Sequence, residues 1–266
     1  MTHYSFLILQ PLPELGDPDA IRRQFDFIRD CGYDGVELNL TLASLKLMTP
    51  LEQWLTESGL ALPSCCTGEA YGEGLCLSSP SPAARRGAVQ RLIEYLDAAQ
   101  PFRAILVVGL MQGTLRDEPN PDVAKGRIVE CLREVGAAAE ARGAEFVIEP
   151  VNHLQVGFVN TVDEVRRLIR TIGSPAIKPM VDTVHMNIEE RSLTQPIYDC
   201  GAELRHVHLC ESNGGLFGRG HMAFGPILKA LDDVAYDGFG SVKVYRRATM
   251  VEAVKTSIEY LRKASL

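Results

Sequence analysis

Four short stretches of this chain each carry an ionisable side chain at the end of a strand-like run. They are Phe146–Pro150 with Glu149, Lys178–His185 with Asp182 and His185, Arg205–Asn213 with His206 and His208, and Gly240–Arg246 with Lys243. Glu149, Asp182 and His208 make an O,O,N donor set, which suits a divalent ion such as Mn2+, Co2+, Mg2+ or Zn2+. Such an ion polarises a carbonyl and its neighbouring hydroxyl, so that an enediolate is stabilised as a proton leaves carbon. A carboxylate beside it can carry that proton. The fourth stretch offers a lysine instead of a fourth ligand.

For these groups to act together, the fold must bring four strand ends to one place. The pattern predicts eight strands: Tyr4–Gln10, Gly35–Leu40, Ala61–Thr67, Arg103–Gly109, Glu145–Pro150, Ile177–Asp182, Arg205–Leu209 and Phe239–Tyr245. Helical spacing of apolar residues predicts helices over Asp17–Cys31, Pro82–Ala99, Pro121–Arg142, Thr161–Ile172, Gly225–Val234 and Thr249–Lys263. Thr161-Val-Asp-Glu reads as a capping box, and Gly32, Gly143 and Gly173 stand where helices should stop. Strict alternation implies parallel strands with right-handed crossovers. At 266 residues the reading is α/β, a (β/α)8 TIM barrel, with residues 1–266 as a single domain. In such barrels the site lies at the C-terminal ends of the strands. Alternation then points Glu149, Asp182, His206, His208, Ser241 and Lys243 inward, with Phe146, Ile148, Val181 and Val242 facing the helices.

The bulk properties narrow the partners. A net charge of −7 disfavours nucleic acid, whose binders carry a basic face. No run of 18 apolar residues is present, so no membrane span is expected, and the first residues do not read as a signal peptide. Seven cysteines, odd in number and scattered, point to free thiols in a reducing, cytoplasmic setting. No G-x-G-x-x-G follows the first strand, so a dinucleotide site lacks its fingerprint. Trp54 is expected to pack, and Cys65 and Cys66 either pack or line the pocket on the third strand. Glu37 ends the second strand at the functional rim, where it either contacts substrate or is solvated. His153 is placed beyond Glu149, as a substrate contact or a rim residue.

The motifs Ile148-Glu-Pro-Val-Asn152, Val181-Asp-Thr-Val-His-Met-Asn-Ile-Glu-Glu190, His206-Val-His208, Glu211-Ser-Asn213 and Gly218-Arg-Gly-His-Met-Ala-Phe224 resemble the sugar phosphate isomerase/epimerase superfamily, the xylose isomerase-like barrels. Within it the D-tagatose/D-psicose 3-epimerase group is most similar. The likeness is tight in the C-terminal half and loose in the N-terminal half. The resemblance implies metal ligation by Glu149, Asp182 and His208, and acid/base work by Glu149. It implies substrate contacts by His185 and by Arg219, which lies with His221 in a closing loop. It also implies a small keto-sugar or polyol substrate and a homo-oligomer. Three departures stand out. Lys243 takes the place of the last ligand and second acid/base glutamate, Gln155 that of an acidic residue, and Gly214 that of a substrate-binding arginine.

Lys243 can be read in three ways. It is a second acid/base beside a three-ligand metal, or its ammonium replaces the metal and pairs with Glu149 and Asp182, or it is a Schiff-base nucleophile. The leading functional class is carbon-centred proton transfer on a keto-sugar or polyol. A related lyase or dehydratase acting on an oxidised sugar or inosose is an alternative. A DNA endonuclease and a non-catalytic sugar-binding barrel are the competing classes.

Overall fold

A computed structural model describes residues 3–246 and 248–264. Eight parallel strands close into a barrel in sequence order: β1 (His3–Ile8), β2 (Gly35–Asn39), β3 (Ser64–Cys66), β4 (Ile105–Val108), β5 (Phe146–Ile148), β6 (Ile177–Asp182), β7 (His206–Cys210) and β8 (Phe239–Lys243), with β8 pairing back onto β1. The expected (β/α)8 architecture is therefore present. Six of the observed strands are shorter than the sequence pattern suggested, because only part of each apolar run finds ladder partners. In β3, for example, Ala61 makes only an isolated bridge to Gly35, and the strand proper is Ser64–Cys66.

The helices run α1 (Pro18–Cys31), α2 (Leu42–Leu45), α3 (Met48–Ser58), α4 (Glu69–Gly72), α5 (Pro82–Ala99), α6 (Pro121–Arg142), α7 (Val162–Ile172), α8 (Thr183–Glu189), α9 (Gln195–Cys200), α10 (Phe224–Asp233) and α11 (Met250–Ala264). The capping box at α7 is present, with Thr161 Oγ1 accepting from the Glu164 N–H at 3.2 Å and Glu164 Oε2 accepting from the Thr161 N–H at 3.1 Å. Gly32, Gly143 and Gly173 end their helices in the left-handed conformation. The sequence pattern did not mark α2, α3, α8 or α9. Two of these are only four and six residues long, too short for a clear period, and α8 starts at Thr183 with no loop after β6.

One large apolar layer joins strands to helices, with Phe25, Tyr95, Phe146 and Phe224 fully buried. A second, small cluster of Ile105, Val107, Val147 and Met180 fills the barrel interior on the β4–β6 side. Across from it the interior is polar: Ser5, Glu37, Ser64, His206, His208 and Ser241 are all 1% exposed or less. All seven cysteines are free, and Trp54 packs at 3% exposure. Among the described residues no helix is long and apolar enough to cross a membrane.

Candidate active site

Strand register brings the ionisable groups together. Asp182 pairs with His208 across β6–β7, and His208 pairs with Ser241 across β7–β8. Lys243 lies two residues beyond Ser241 on the same face, one layer nearer the mouth. Glu149 follows β5 directly, its N–H bonded to the Val108 carbonyl at 3.0 Å. Gly109 makes room for it: a Cβ there would lie 2.2 Å from Glu149 Oε2.

The side chains meet at the floor of a cavity of about 260 Å3, lined among others by Glu149, His185, His208, Lys243, Gln155 and Tyr245. Lys243 Nζ donates to Asp182 Oδ2 at 2.9 Å and to Glu149 Oε1 at 3.3 Å. His208 Nδ1 faces the same two oxygens at 3.4 and 3.3 Å. His185 Nε2 is 3.6 Å from Glu149 Oε1, while its Nδ1 is 2.7 Å from Asn152 Nδ2. With the Asn152 amide donating, the ring carries its proton on Nε2, aimed into the cavity. Asp182 also caps α8, accepting from the Val184 N–H at 2.9 Å.

Electrostatics follow from this packing. Burial is the largest influence on Glu149 and Asp182 and opposes their ionisation, but the Lys243 ammonium together with His185 and His208 outweighs it, and both stay well below the usual carboxylate range. The same carboxylates hold Lys243 well above the ordinary lysine value against the cost of burying it. His208 is likewise held well above the usual imidazole value: burial disfavours its charge, but Glu37, and then bonds to Asp182, Cys66 and Glu149, favour it more. For Cys66 burial and the Glu37 charge push the thiol up to about 12.

Several expected site residues lie elsewhere. Glu37 does not contact the cavity; it is fully buried beneath it, with His208 Nε2 at 3.1 Å, His206 Nε2 at 3.3 Å, Cys66 Sγ at 3.4 Å and the Ser241 hydroxyl all directed at its carboxylate. Alternation around the barrel turns it inward, below the rim. His153 is exposed and paired with Glu189 at 2.6 Å, and Arg219 is exposed, outside the cavity lining. Gln155 does line the cavity. Cys66 lines the cavity while Cys65 is fully buried, Ser241 points inward as alternation predicts, and Asn152 is a contact that the pattern of ionisable residues did not single out. Glu211 secures the loop after β7, its carboxylate accepting from the N–H groups of Ser212, Gly218 and Met222 at 2.8–3.1 Å. Gly214 has a physical reason to be glycine: its φ is +69°, and a Cβ would meet the Tyr245 ring at 2.3 Å.

The donor chemistry fits a divalent ion. Nδ1 of His208 is buried and makes no hydrogen bond of normal geometry, although two carboxylate oxygens face it. With neutral imidazoles, Glu37, Glu149 and Asp182 against Lys243 leave two buried negative charges. A proton on His208 balances one of them, and a divalent cation balances both. Among the described residues two groups could hold an ion, Glu149 with Asp182 and His185, and Glu37 with His206 and His208; His208 Nδ1 faces the first group from the second.

Residues 25–264 match the model of the xylose isomerase-like TIM barrel family. The chain belongs to that family. Among curated relatives of this family member, a ketose 3-epimerase of Arthrobacter globiformis is 28% identical over 225 residues, covering 84% of this chain and 76% of its own. An L-ribulose 3-epimerase of Mesorhizobium japonicum is 30% identical over 222 residues, covering 80% and 73%. The crystal structure of 3-keto-D-glucoside 4-epimerase from E. coli superposes with a TM-score of 0.85 at 23% identity, over 98% of this chain and 100% of that one. At that identity the superposition establishes the fold.

Proposed function

We propose that this xylose isomerase-like barrel is a sugar epimerase or isomerase that moves a proton at a carbon next to the carbonyl of a small keto-sugar or related polyol. The observation that carries this is the meeting of Glu149 Oε1, Asp182 Oδ2, His208 Nδ1 and Lys243 Nζ, with separations of 2.9–3.4 Å, on the floor of one small cavity. The cavity lies near the lower end of ligand-pocket sizes, which suits a sugar and not a nucleic-acid strand. The ketose 3-epimerase relatives support the same reading.

Glu149, held ionised, accepts the proton from carbon. His185, with Nε2–H aimed into the cavity, donates to the substrate oxygen where charge develops. Once Glu149 has taken that proton, one of the two charges holding the Lys243 ammonium is gone, so Lys243 donates to carbon in the return step, and proton exchange with solvent then restores ionised Glu149 and charged Lys243. Glu149, Asp182 and His208 would hold one divalent ion (Mn, Co, Mg or Zn), which when bound supplies Lewis-acid polarisation of the carbonyl. Gln155 contacts substrate from the cavity wall, and His153 and Arg219 reach it only from a moved loop. We take residues 1–266 as a single domain, cytoplasmic and assembled as a homo-oligomer.

A second reading rests on Lys243 itself. Its two short ion pairs make the ammonium a candidate resident cation, with no metal needed. Elemental analysis of protein purified without chelator separates the two. Near one metal equivalent in wild type, lost in His208→Ala, supports the metal enzyme. A metal-free wild type and a metal-loaded Lys243→Glu would give the site to the lysine. In either case wild type should exchange solvent deuterium into the carbon beside the carbonyl of a ketose substrate, and a panel of ketoses showing none would sink the proposed reaction.

A further inference from the structure

Two fully buried carboxylates near the site are not used by the reaction above, Glu211, which secures the loop after β7, and Glu37. Glu37 comes from β2, on the opposite side of the barrel from Glu149 and Asp182, and it lies below the cavity floor. Burying a carboxylate costs several kcal/mol unless it is matched by donors, and here four side chains are turned toward it. His208 Nε2 is the nearest ring nitrogen, at 3.1 Å. His206 Nε2 lies at 3.3 Å, Cys66 Sγ at 3.4 Å, and the Ser241 hydroxyl donates to the second oxygen. Cys66 and Ser241 therefore hold Glu37 by hydrogen bonds from two strands, with His206 Nε2 beside it but outside normal hydrogen-bond geometry, leaving it a fixed acceptor for His208.

We infer that Glu37 is a positioning residue, which takes the Nε2–H of His208 and so holds Nδ1 toward Glu149 and Asp182, where Nδ1 gives up its proton to become a ligand when a cation binds. A histidine that binds a cation through one nitrogen needs its proton on the other, and a carboxylate partner both fixes that tautomer and orients the ring. His208 Nδ1 is buried, without a normal hydrogen bond, and 3.3 and 3.4 Å from the two site oxygens. It has that disposition only while Nε2 is held on the far side. Without Glu37, the ring is free to carry its proton on Nδ1 and donate it to Asp182, which removes the lone pair from the site. This role rests on the proposed use of His208 at the site, and it replaces a direct substrate contact for Glu37.

The test uses wild type, Glu37→Gln and the conservative Glu37→Asp, all checked for folding by circular dichroism and thermal melting. Mn2+ affinity is read by calorimetry, turnover by kcat and KM, and the His208 ring protons by NMR on 15N-histidine-labelled protein. The expected result is a roughly 10–100-fold loss of Mn2+ affinity in Glu37→Gln, with kcat reduced, KM little changed and partial rescue in Glu37→Asp. In the NMR spectra, a solvent-protected, downfield Nε2 proton of His208 in wild type should move upfield or vanish in Glu37→Gln. Unchanged Mn2+ affinity with a raised KM would overturn the inference in favour of substrate contact. Loss of fold in both variants, or a second metal equivalent that disappears with Glu37→Gln, would overturn it in favour of a purely structural or an ion-binding cluster. The NMR arm needs neither metal nor substrate. A wild type that binds no Mn2+ therefore counts against the metal-bound reading of the proposed function and in favour of Lys243 as resident cation, while the His208 proton still decides the role of Glu37.

Discussion

Lys243 Nζ, 17% exposed and bonded to two carboxylates, is where a single substitution says most. In chelator, Lys243→Met leaves Glu149 and Asp182 buried without their ammonium, and breaking such a pair costs about 3–5 kcal/mol. The pH dependence has a definite sign. In wild type the carboxylates are depressed, so their contribution is present above their ordinary value of about 4.5 and is lost as pH falls through their folded values. Lys243 is raised, so its contribution is full below about 10.5 and is lost as pH rises through its folded value. In the variant the carboxylates lose their largest favourable partner and rise relative to wild type, so lowering the pH from 7 toward 4.5 should narrow the stability gap between the two proteins. A gap that widens in that range would contradict the ion-pair geometry. Cys66 offers a milder check: with its thiol pushed up to about 12, about one molecule in ten thousand is thiolate at pH 8, and iodoacetamide followed by peptide mass spectrometry should find it unmodified. At this scale the sequence was informative wherever a residue ends a strand, because alternation alone turns Glu149, Asp182, His208 and Lys243 inward. It was uninformative for Glu37, whose rim position gave no hint that it lies under the floor, since its partners come from distant strands.

Single elements hold these residues to their positions. Gly109, directly after β4, lets the Glu149 carboxylate pass where a Cβ would sit 2.2 Å from it. Gly109→Ala should cost roughly 1–3 kcal/mol by overpacking and displace Glu149, so that turnover falls at least tenfold while α7 and the other helices keep their circular dichroism signal. The contrast is Thr161→Ala at the α7 capping box, far from the floor. It should lose about 1 kcal/mol of stability in a urea melt with kcat unchanged. Long helices with caps, such as α5, α6 and α7, were legible to within a residue because composition, cap and period agree. The segments α2, α4 and α9 were not, since four to six residues give no period to read. Nor was the direct run of β6 into α8, where Asp182 serves both as strand end and as helix cap.

Taken as a whole, the barrel is asymmetric. The β5–β8 half carries Glu149, Asp182, His208 and Lys243, while the β1–β4 half lines the cavity wall and contributes Glu37, with Cys66, from beneath. Three buried carboxylates against one lysine make the folded state a binder of positive charge. A divalent ion should therefore raise the melting temperature by mass action, with about 2.7 kcal/mol of added stability at a hundredfold excess over its dissociation constant; a calorimetric scan with and without Mn2+ checks this, and no shift would favour the lysine as resident cation. The eight-strand count and closure were legible because each strand is a short apolar run set between helical ones. The wiring across the barrel was not, because nothing local encodes a contact between residues 171 apart, as Glu37 and His208 are. That separation also bears on the order in which the chain assembles. While β2 is made and packed, its carboxylate has none of its imidazole or β8 hydroxyl partners, which arrive 169–204 residues later with His206, His208 and Ser241. An unfinished barrel thus carries an unmatched charge in its centre, and the last two strands close the ring and quench it in one step. Contacts of such long range slow folding, so a half-barrel ending before β7 should remain open and expanded, with the commitment to the native state delayed until the C-terminal strands are in hand.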